Sequence, residues 1–583
     1  MLVSQPATVN AKLAVGSTTE TVDVSAETQS LNTTDATVGN AYDRDTIMSL
    51  PSEARNPQTL LALQPGVLFL GADTGSGESR NGVVSGARAD QSNITLDGVD
   101  NNDQIFPSAF SGVLRTTLDS LEEFRVTTSD ANADQGRSSG GQVNLVTRSG
   151  TNQVHGALYE YNRNTFGVAN DYFNKSGQLA SDEPNRPGKL IRNTYGIRLG
   201  GPLQRDKVFL FGNYEGNRQN EAASVTRIVP TAGLRAGAVS YLNASGSNST
   251  LSAAQIATMD PRCSGMGTCP QGPGVDPSVT AVLNRYPLPN GAITGDGYNT
   301  ASYTFSSPVP IVQNVYISRL DFNPSDHHRF YVRGSFQNDA TSYSEYLPGQ
   351  PPNSKLTDDS KGILGNYTWT ITPNLINNAR YGFVRQSYAS SGVGNGNYVT
   401  FRGIDTTEAT TRTESTVVPL HNVIDDLTWT KGKHTLQFGG NYRRFTYEDA
   451  NAGNSFNSAV TNASWLKGSH LANTGGTFDP AAFGYDPVAS SFRTSYDYAV
   501  TALAGLVTEE TDHFNYGLSS DGTTGTLQGV GSPVVRNYRS NEFEYYLQDS
   551  FHPSTNLTLN FGIILALLAA GGVWFLLSRT VTG

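Results

Sequence analysis

From Thr151 onward the chain is written as about eleven strand-length stretches of roughly 8–15 residues. The connections between them alternate strictly between short and long. The short ones read GPLQRDK, NPSDH, TPN, KGK and HPSTN, and the long ones cover about 164–190, 218–310, 339–359, 389–419 and 448–539. Within a stretch the residues alternate too. In HRFYVRGSF, Phe330, Val332 and Phe336 share one face, and Arg329, Arg333 and Ser335 share the other. HTLQFGGNYRRF sets Leu436, Phe438 and Tyr442 against Gln437, Asn441 and Arg443; NEFEYYLQDSF sets Phe543, Tyr545 and Leu547 against Glu542, Glu544 and Gln548. A soluble β-sandwich shows the same alternation, but its Greek-key links give no reason for the rhythm of the connections. An antiparallel barrel that crosses a membrane does: tight turns on one side, long loops on the other. The expected fold is therefore mainly β, a transmembrane antiparallel β-barrel.

Composition agrees with that architecture. Charged residues are 16%, against roughly 25% in ordinary soluble domains, while hydrophobic residues reach only 37%. There are 60 glycines, 27 tyrosines and 25 phenylalanines. Such a balance suits strands with one face toward lipid and one toward water, and does not suit a bundle of membrane helices. The net charge of −11 leaves no basic stripe to neutralise phosphates, so nucleic acid is excluded as a partner. With no HExxH, GxSxG or P-loop, and no acid–base pair, the sequence gives no reason to expect an enzyme or a cofactor. His327-His328 point to opposite faces of a strand and make a poor chelate. LDGVDNNDQ lacks the EF-hand spacing and reads as Asx-turns.

The segment before residue 150 is different material. Residues 42–64 read as two short helices, the first capped by Asp45 and stopped by Pro51. Short strands follow in GVVSGAR, NITLDGVD, EEFRVTT and GQVNLVTR, an α+β domain. In SGGQVNLVTRSGTNQVHGALYEY one alternation stops at Ser149-Gly150-Thr151-Asn152 and another starts at once. That is the hinge between this domain and the first barrel strand.

The order SLPSEARNPQTLLALQPGV, ITLDGVD, SLEEFRV, GGQVNLVTR resembles the plug domain of TonB-dependent outer-membrane receptors, and VTRSGTNQVHGALYEY resembles their Oar-like branch. The sequence departs from the family at Thr128-Ser129, where Gly-Pro is usual, and at Asp134-Gln135-Gly136-Arg137, where a Tyr-Gly pair is usual. The resemblance implies residues 1–30 as the remnant of a carboxypeptidase-regulatory-like domain, 31–150 as an N-terminal α+β plug, and 151–562 as the first half of a 22-strand barrel. It also implies a bacterial outer-membrane location and uptake of a bulky nutrient of siderophore, glycan or peptide class. The plug would rearrange with energy from TonB and the inner-membrane ExbB/ExbD complex; outer-membrane lipid and an unknown extracellular ligand are the other implied partners. The alternative is a surface adhesin, or a protein-export outer-membrane protein without nutrient uptake. Glu20, Thr21, Val22, Asp23, Val24, Ser25 and Ala26 are similar to the TonB box, a strand that adds to a partner's sheet edge, or else form the last strand of the N-terminal module.

Three expectations concern particular segments. Cys263 and Cys269, with five residues between them on one loop and without a CxxC or His partner, are read as a disulfide of an oxidising compartment. No basic n-region precedes an apolar run at the N-terminus, so the start of an exported protein is expected to lie upstream. After NLTLNFG the alternation ceases, and 563–583 are expected to form an apolar helical tail foreign to the barrel, either a gene artefact or an anchor.

Overall fold

The computed structural model describes residues 37–569 except 51–54, 56, 70–81, 109–110, 171, 173–174, 176–177, 180–183, 261–271, 292–293, 467–473, 477, 520–521 and 555–556. The Glu20–Ala26 segment and both cysteines lie outside the described residues.

The N-terminal domain is built on a five-stranded sheet of β1 (Val38–Asp43), β2 (Asn93–Leu96), β3 (Val99–Asp100), β4 (Leu121–Ser129) and β5 (Gln142–Thr147), in the order β1-β4-β5-β2-β3. Only the β2–β5 pair is parallel. Helix α1 (Arg44–Ser49) is capped by Asp43, whose carboxylate accepts from Thr46 N, rather than by Asp45; Asp45 instead lies in the first turn. The second expected helix is a 3₁₀ segment, Pro57–Leu63. Ile47, Leu61, Ile94, Phe124, Val126 and Val143 fill the core between helix and sheet. β2 and β3 are joined by Asp97 and Gly98 alone, both at positive φ (55° and 77°), as a two-residue hairpin turn requires.

The long strands after residue 150 make one large antiparallel sheet. Its strands are β6 (His155–Asn164), β7 (Leu190–Gln204), β8 (Val208–Pro230), β9 (Thr300–Ser325), β10 (His328–Ser342), β11 (Ser354–Asp358), β12 (Lys361–Thr372), β13 (Leu375–Gly392), β14 (Glu414–Lys431), β15 (His434–Asn451), β16 (Val534–Ser554) and β17 (Leu557–Ala569). Each pairs with its sequence neighbour, except that β11 and β12 sit end to end as one interrupted strand between β10 and β13. β6 and β17, the ends of this order, each have one neighbour in it. The barrel is therefore a partial one, an open wall.

The wall is packed inside out. On β10, Phe330, Val332 and Phe336 are 38, 46 and 42% exposed, while Arg333 and Gln337 on the other face are 1 and 3% exposed. The polar face is covered because the N-terminal domain lies against it; the apolar face is exposed among the described residues and is suited to lipid.

Several strands run further than the alternation suggested. β8 has 23 residues and β9 has 26, so the expected loop 218–310 shrinks to 231–299. Pro308 and Pro310 look like strand breakers. They are tolerated because β9 there pairs only with β8, its ladder to β10 beginning at Ile311. The last strand corrects the expected helical tail. Ile563 to Ala569 continue β17 without a break, paired with Asn541–Leu547 of β16. The free edge of β16 satisfies their backbone groups, and Ile563, Ile564 and Leu565 are all exposed, so no polar face is needed there. Residues 570–583 are outside the described residues.

The connections at the other end are folded. Segments 231–299 and 452–533 share one hydrophobic core with parts of 343–353 and 393–413. It holds α2 (Ala253–Met259), α3 (Pro277–Leu283) and α4 (Arg493–Leu503). Tyr241, Tyr286 and Tyr496 are buried in it, and each hydroxyl donates to a backbone carbonyl: Asp486 O, Asp405 O and Phe478 O. Asp276 N donates to Leu503 O at 2.7 Å and ties the two long segments together. These three tyrosines of the long connections are core residues.

Candidate functional site

Three aspartates of the N-terminal domain, Asp97, Asp100 and Asp119, each meet an arginine of the wall's inner face. Asp97, in the β2–β3 turn, accepts from Thr147 N at 2.8 Å and Thr147 Oγ1 at 2.9 Å. Its carboxylate also meets Arg333 Nε at 2.8 Å and Arg319 Nη1 at 3.8 Å. Arg333 donates onward to Ser335 Oγ and to the Leu96 carbonyl, and Arg319 to Asp321 and the Thr147 carbonyl. Two wall arginines on adjacent strands thus grip one turn.

Asp100, three residues on, pairs with Arg137 of its own domain and lies 3.8 Å from Arg443 of β15. Arg443 in turn holds Glu542 at 2.8 Å and Glu544 at 2.6 Å on β16. Asp119 pairs with Arg55 at 2.6 Å and with Arg198 of β7 at 3.3 Å, and Arg55 reaches Glu215 of β8 at 3.6 Å. Charge pairs this dry gain strength from the low dielectric, yet each ion costs several kcal/mol to bury, so the arrangement fixes position more than it adds stability.

Between the ion clusters run neutral hydrogen bonds: Asp100 N to Asn422, Gln104 N to Gln386, Arg115 N to Gln337, Ala133 N to Gln548, and Asn213 to Thr117 Oγ1 at 3.1 Å. Val99 and Leu114 rest on Gly382 and Gly362, where any Cβ would collide with them. Near the folded connections, Phe106 meets Tyr388 of β13 edge to face at 5.1 Å, and Arg115 pairs with Asp339 at 2.9 Å. Asx-turn bonds do shape LDGVDNNDQ: Asp100 accepts from Asn102 N, and Asp103 from Ile105 N and Phe106 N. His327 and His328 bond separately to Thr370 O and Tyr367 OH.

A sequence reading placed Arg333, Arg443 and Glu544 on the polar face of their strands, but not against a partner. The signal was there: a charge recurring on one face of a strand in a chain so poor in charges needs an opposite charge nearby. Which aspartate supplies it depends on the fold.

Comparison with known proteins agrees with the geometry. The family model described as outer membrane beta barrel domain matches residues 146–462. The TonB-dependent transporter Oar of Myxococcus xanthus is 26% identical over 132 residues, 22% of this chain and 12% of that one. Among solved structures, the outer membrane transporter YddB from Escherichia coli superposes with a TM-score of 0.53 at 12% identity, covering 91% of this chain and 56% of that one. The chain therefore spans only part of the length of either relative.

Proposed function

Since this chain belongs to the outer membrane β-barrel domain family, a protein family of the bacterial outer membrane, we propose that it acts as a TonB-dependent receptor whose N-terminal domain is a plug. The plug occupies the inner face of the wall until energy from TonB rearranges it. The observation that carries this reading is the seam itself. The domain is held to the wall by ion pairs and amide hydrogen bonds at Asp97, Asp100, Asp119, Gln337, Gln386 and Gln548, not by a continuous greasy interface. Water can replace such bonds one by one at modest cost, so the domain can be loosened without unfolding the wall. The path exposed is polar, and passage needs no bond-making chemistry. The cargo is a bulky nutrient of siderophore, glycan or peptide class, met first by the folded connections.

Glu20–Ala26 would be the handle, added as a strand to TonB's sheet. Binding of the isolated periplasmic domain of TonB to the purified protein tests this. Val22→Pro removes a donor from the added strand and should abolish binding. Binding that is unchanged would assign the segment to the N-terminal module. An adhesin that does not transport is the second reading, favoured by the packed core of the connections. Thr117→Cys with Asn213→Cys, oxidised, would pin plug to wall: uptake stops in a receptor, whereas adhesion is untouched.

A further inference from the structure

The apolar face of the wall is not uniform. Gly212, Ser318 and Gly334 stand side by side on β8, β9 and β10, in register across the strands. A Cβ on Gly212 would meet nothing within 4 Å, and one on Gly334 only Ser318 Oγ at 3.3 Å. The row on one side of them is Tyr214, Tyr316 and Phe336, with ring centroids 4.8 and 5.8 Å apart. The row on the other side begins with Leu210, Leu320 and Val332, all exposed. The result is a groove of about 710 Å³ across the strands, closed at its ends by Leu199 and by Ile363 with Phe383. That volume lies within the usual range of small-molecule sites.

The aromatic row does not end in another apolar residue. Phe336 pairs across to Lys361, and Lys361 to Arg385. Lys361 lines the groove. Among the described residues neither cation is in an ion pair, and the carboxylate two residues before Lys361, Asp359, accepts from Asn338 Nδ2 at 2.5 Å. Lys361 is eleven residues from the end of β12 at its tight turn, and Arg385 ten residues from the start of β13. A barrel strand crosses the hydrocarbon in about 9–11 residues. Both cations therefore sit at the bilayer border on the side of the long connections, where a charge on the lipid face is tolerated and a headgroup phosphate lies within reach.

We propose that this groove binds one phosphorylated lipid of the outer leaflet, an acyl chain lying over Gly212, Ser318 and Gly334 and the phosphate held between Lys361 and Arg385. Acyl chains alone have no preference for the groove over the rest of the apolar face, because lipid tails are as apolar as the side chains. The two cations supply the preference, and so select the phosphate.

Native mass spectrometry of the delipidated full chain tests this with monophosphoryl lipid A, the same lipid after phosphate removal, and inorganic phosphate. One molecule of the phosphorylated lipid should be retained, with retention falling on the order of tenfold for Lys361→Gln with Arg385→Gln. A Cβ on Gly212 meets nothing within 4 Å, so Gly212→Leu should narrow the groove beside the cations and lower retention by less than the double variant, while the protein stays folded. None of these substitutions touches the plug seam or residues 20–26, so TonB binding should be unaffected and the two proposals fail separately. Equal retention of the dephosphorylated lipid, displacement by millimolar inorganic phosphate, or undiminished retention in both variants would overturn the assignment.

Discussion

The wall and the folded connections use the same amino acids in opposite ways. On β10, Phe and Val face outward and Arg333 is among the most buried side chains; in the connections it is apolar side chains such as Phe478 and Leu503, with Tyr496, that are buried. The difference is the solvent. Where lipid replaces water, apolar surface costs nothing to expose, and the strand keeps its backbone bonds in the ladder. Where the strands leave the bilayer, apolar groups must again be covered, and the connections build a core of their own. The N-terminal domain stands between these regimes: an ordinary apolar core, wrapped in a polar surface that meets a polar wall.

The strongest way to break this comparison is to empty the wall's buried charge. Arg333→Val removes the nearer of the two cations at Asp97, leaving Arg319 at 3.8 Å, and should cost about 3–5 kcal/mol by the penalty of breaking a buried ion pair. Urea unfolding of the protein in vesicles would measure it, and Asp97→Val in the same background should recover part of the loss. Next in size is the connection core. Leu503→Ala should cost about 2–5 kcal/mol, felt locally: hydrogen exchange should speed up across 231–299 and 452–533 while β10 stays protected. The neighbour of Arg333 sharpens the contrast. Val332→Arg places a charge on the lipid face and should cost about 2–4 kcal/mol in vesicles. In a water-exposed strand the same change would be nearly neutral.

The smallest effect is a pH dependence. Burial pushes the Asp497 carboxyl up to about 6, although Thr474 donates to it at 3.0 Å. Its unfolded value is about 3.9. The folded state therefore holds the proton more tightly. The extra stability is full below the unfolded value and is lost as pH rises through about 6. Exchange in the connections should slow from pH 7 to pH 5 after correction for the intrinsic rate, and Asp497→Asn should flatten that trend.

How much of this was legible follows from what each residue answers to. The alternation of Phe330, Val332 and Phe336 is local and has period two, so the wall and its tight turns could be read directly. The extensions of β8 and β9 could not, because Pro308 and Pro310 look like breakers until it is known that β10 is not yet alongside. The Ile563–Ala569 strand was hidden for the reverse reason. An unbroken apolar run fits helix or strand, and only the waiting edge of β16 decides. At the seam, the wall arginines stood out by face, while Asp97 and Asp100 lay among turn residues and gave no sign of their partners. The burial of Tyr241 and Tyr286 depends on contacts with segments far along the chain, as with Tyr241 and Asp486, 245 residues apart.

Which face of the wall meets lipid can be measured directly. Single cysteines placed along 328–338, in a Cys263→Ser/Cys269→Ser background, would be spin-labelled in vesicles and exposed to oxygen and to a water-soluble quencher. Labels at 330, 332 and 336 should collide freely with oxygen and hardly with the quencher, whereas labels at 333, 335 and 337 should be shielded from both. Quencher access at 330, 332 and 336, or no difference between the two sets, would contradict the inside-out wall.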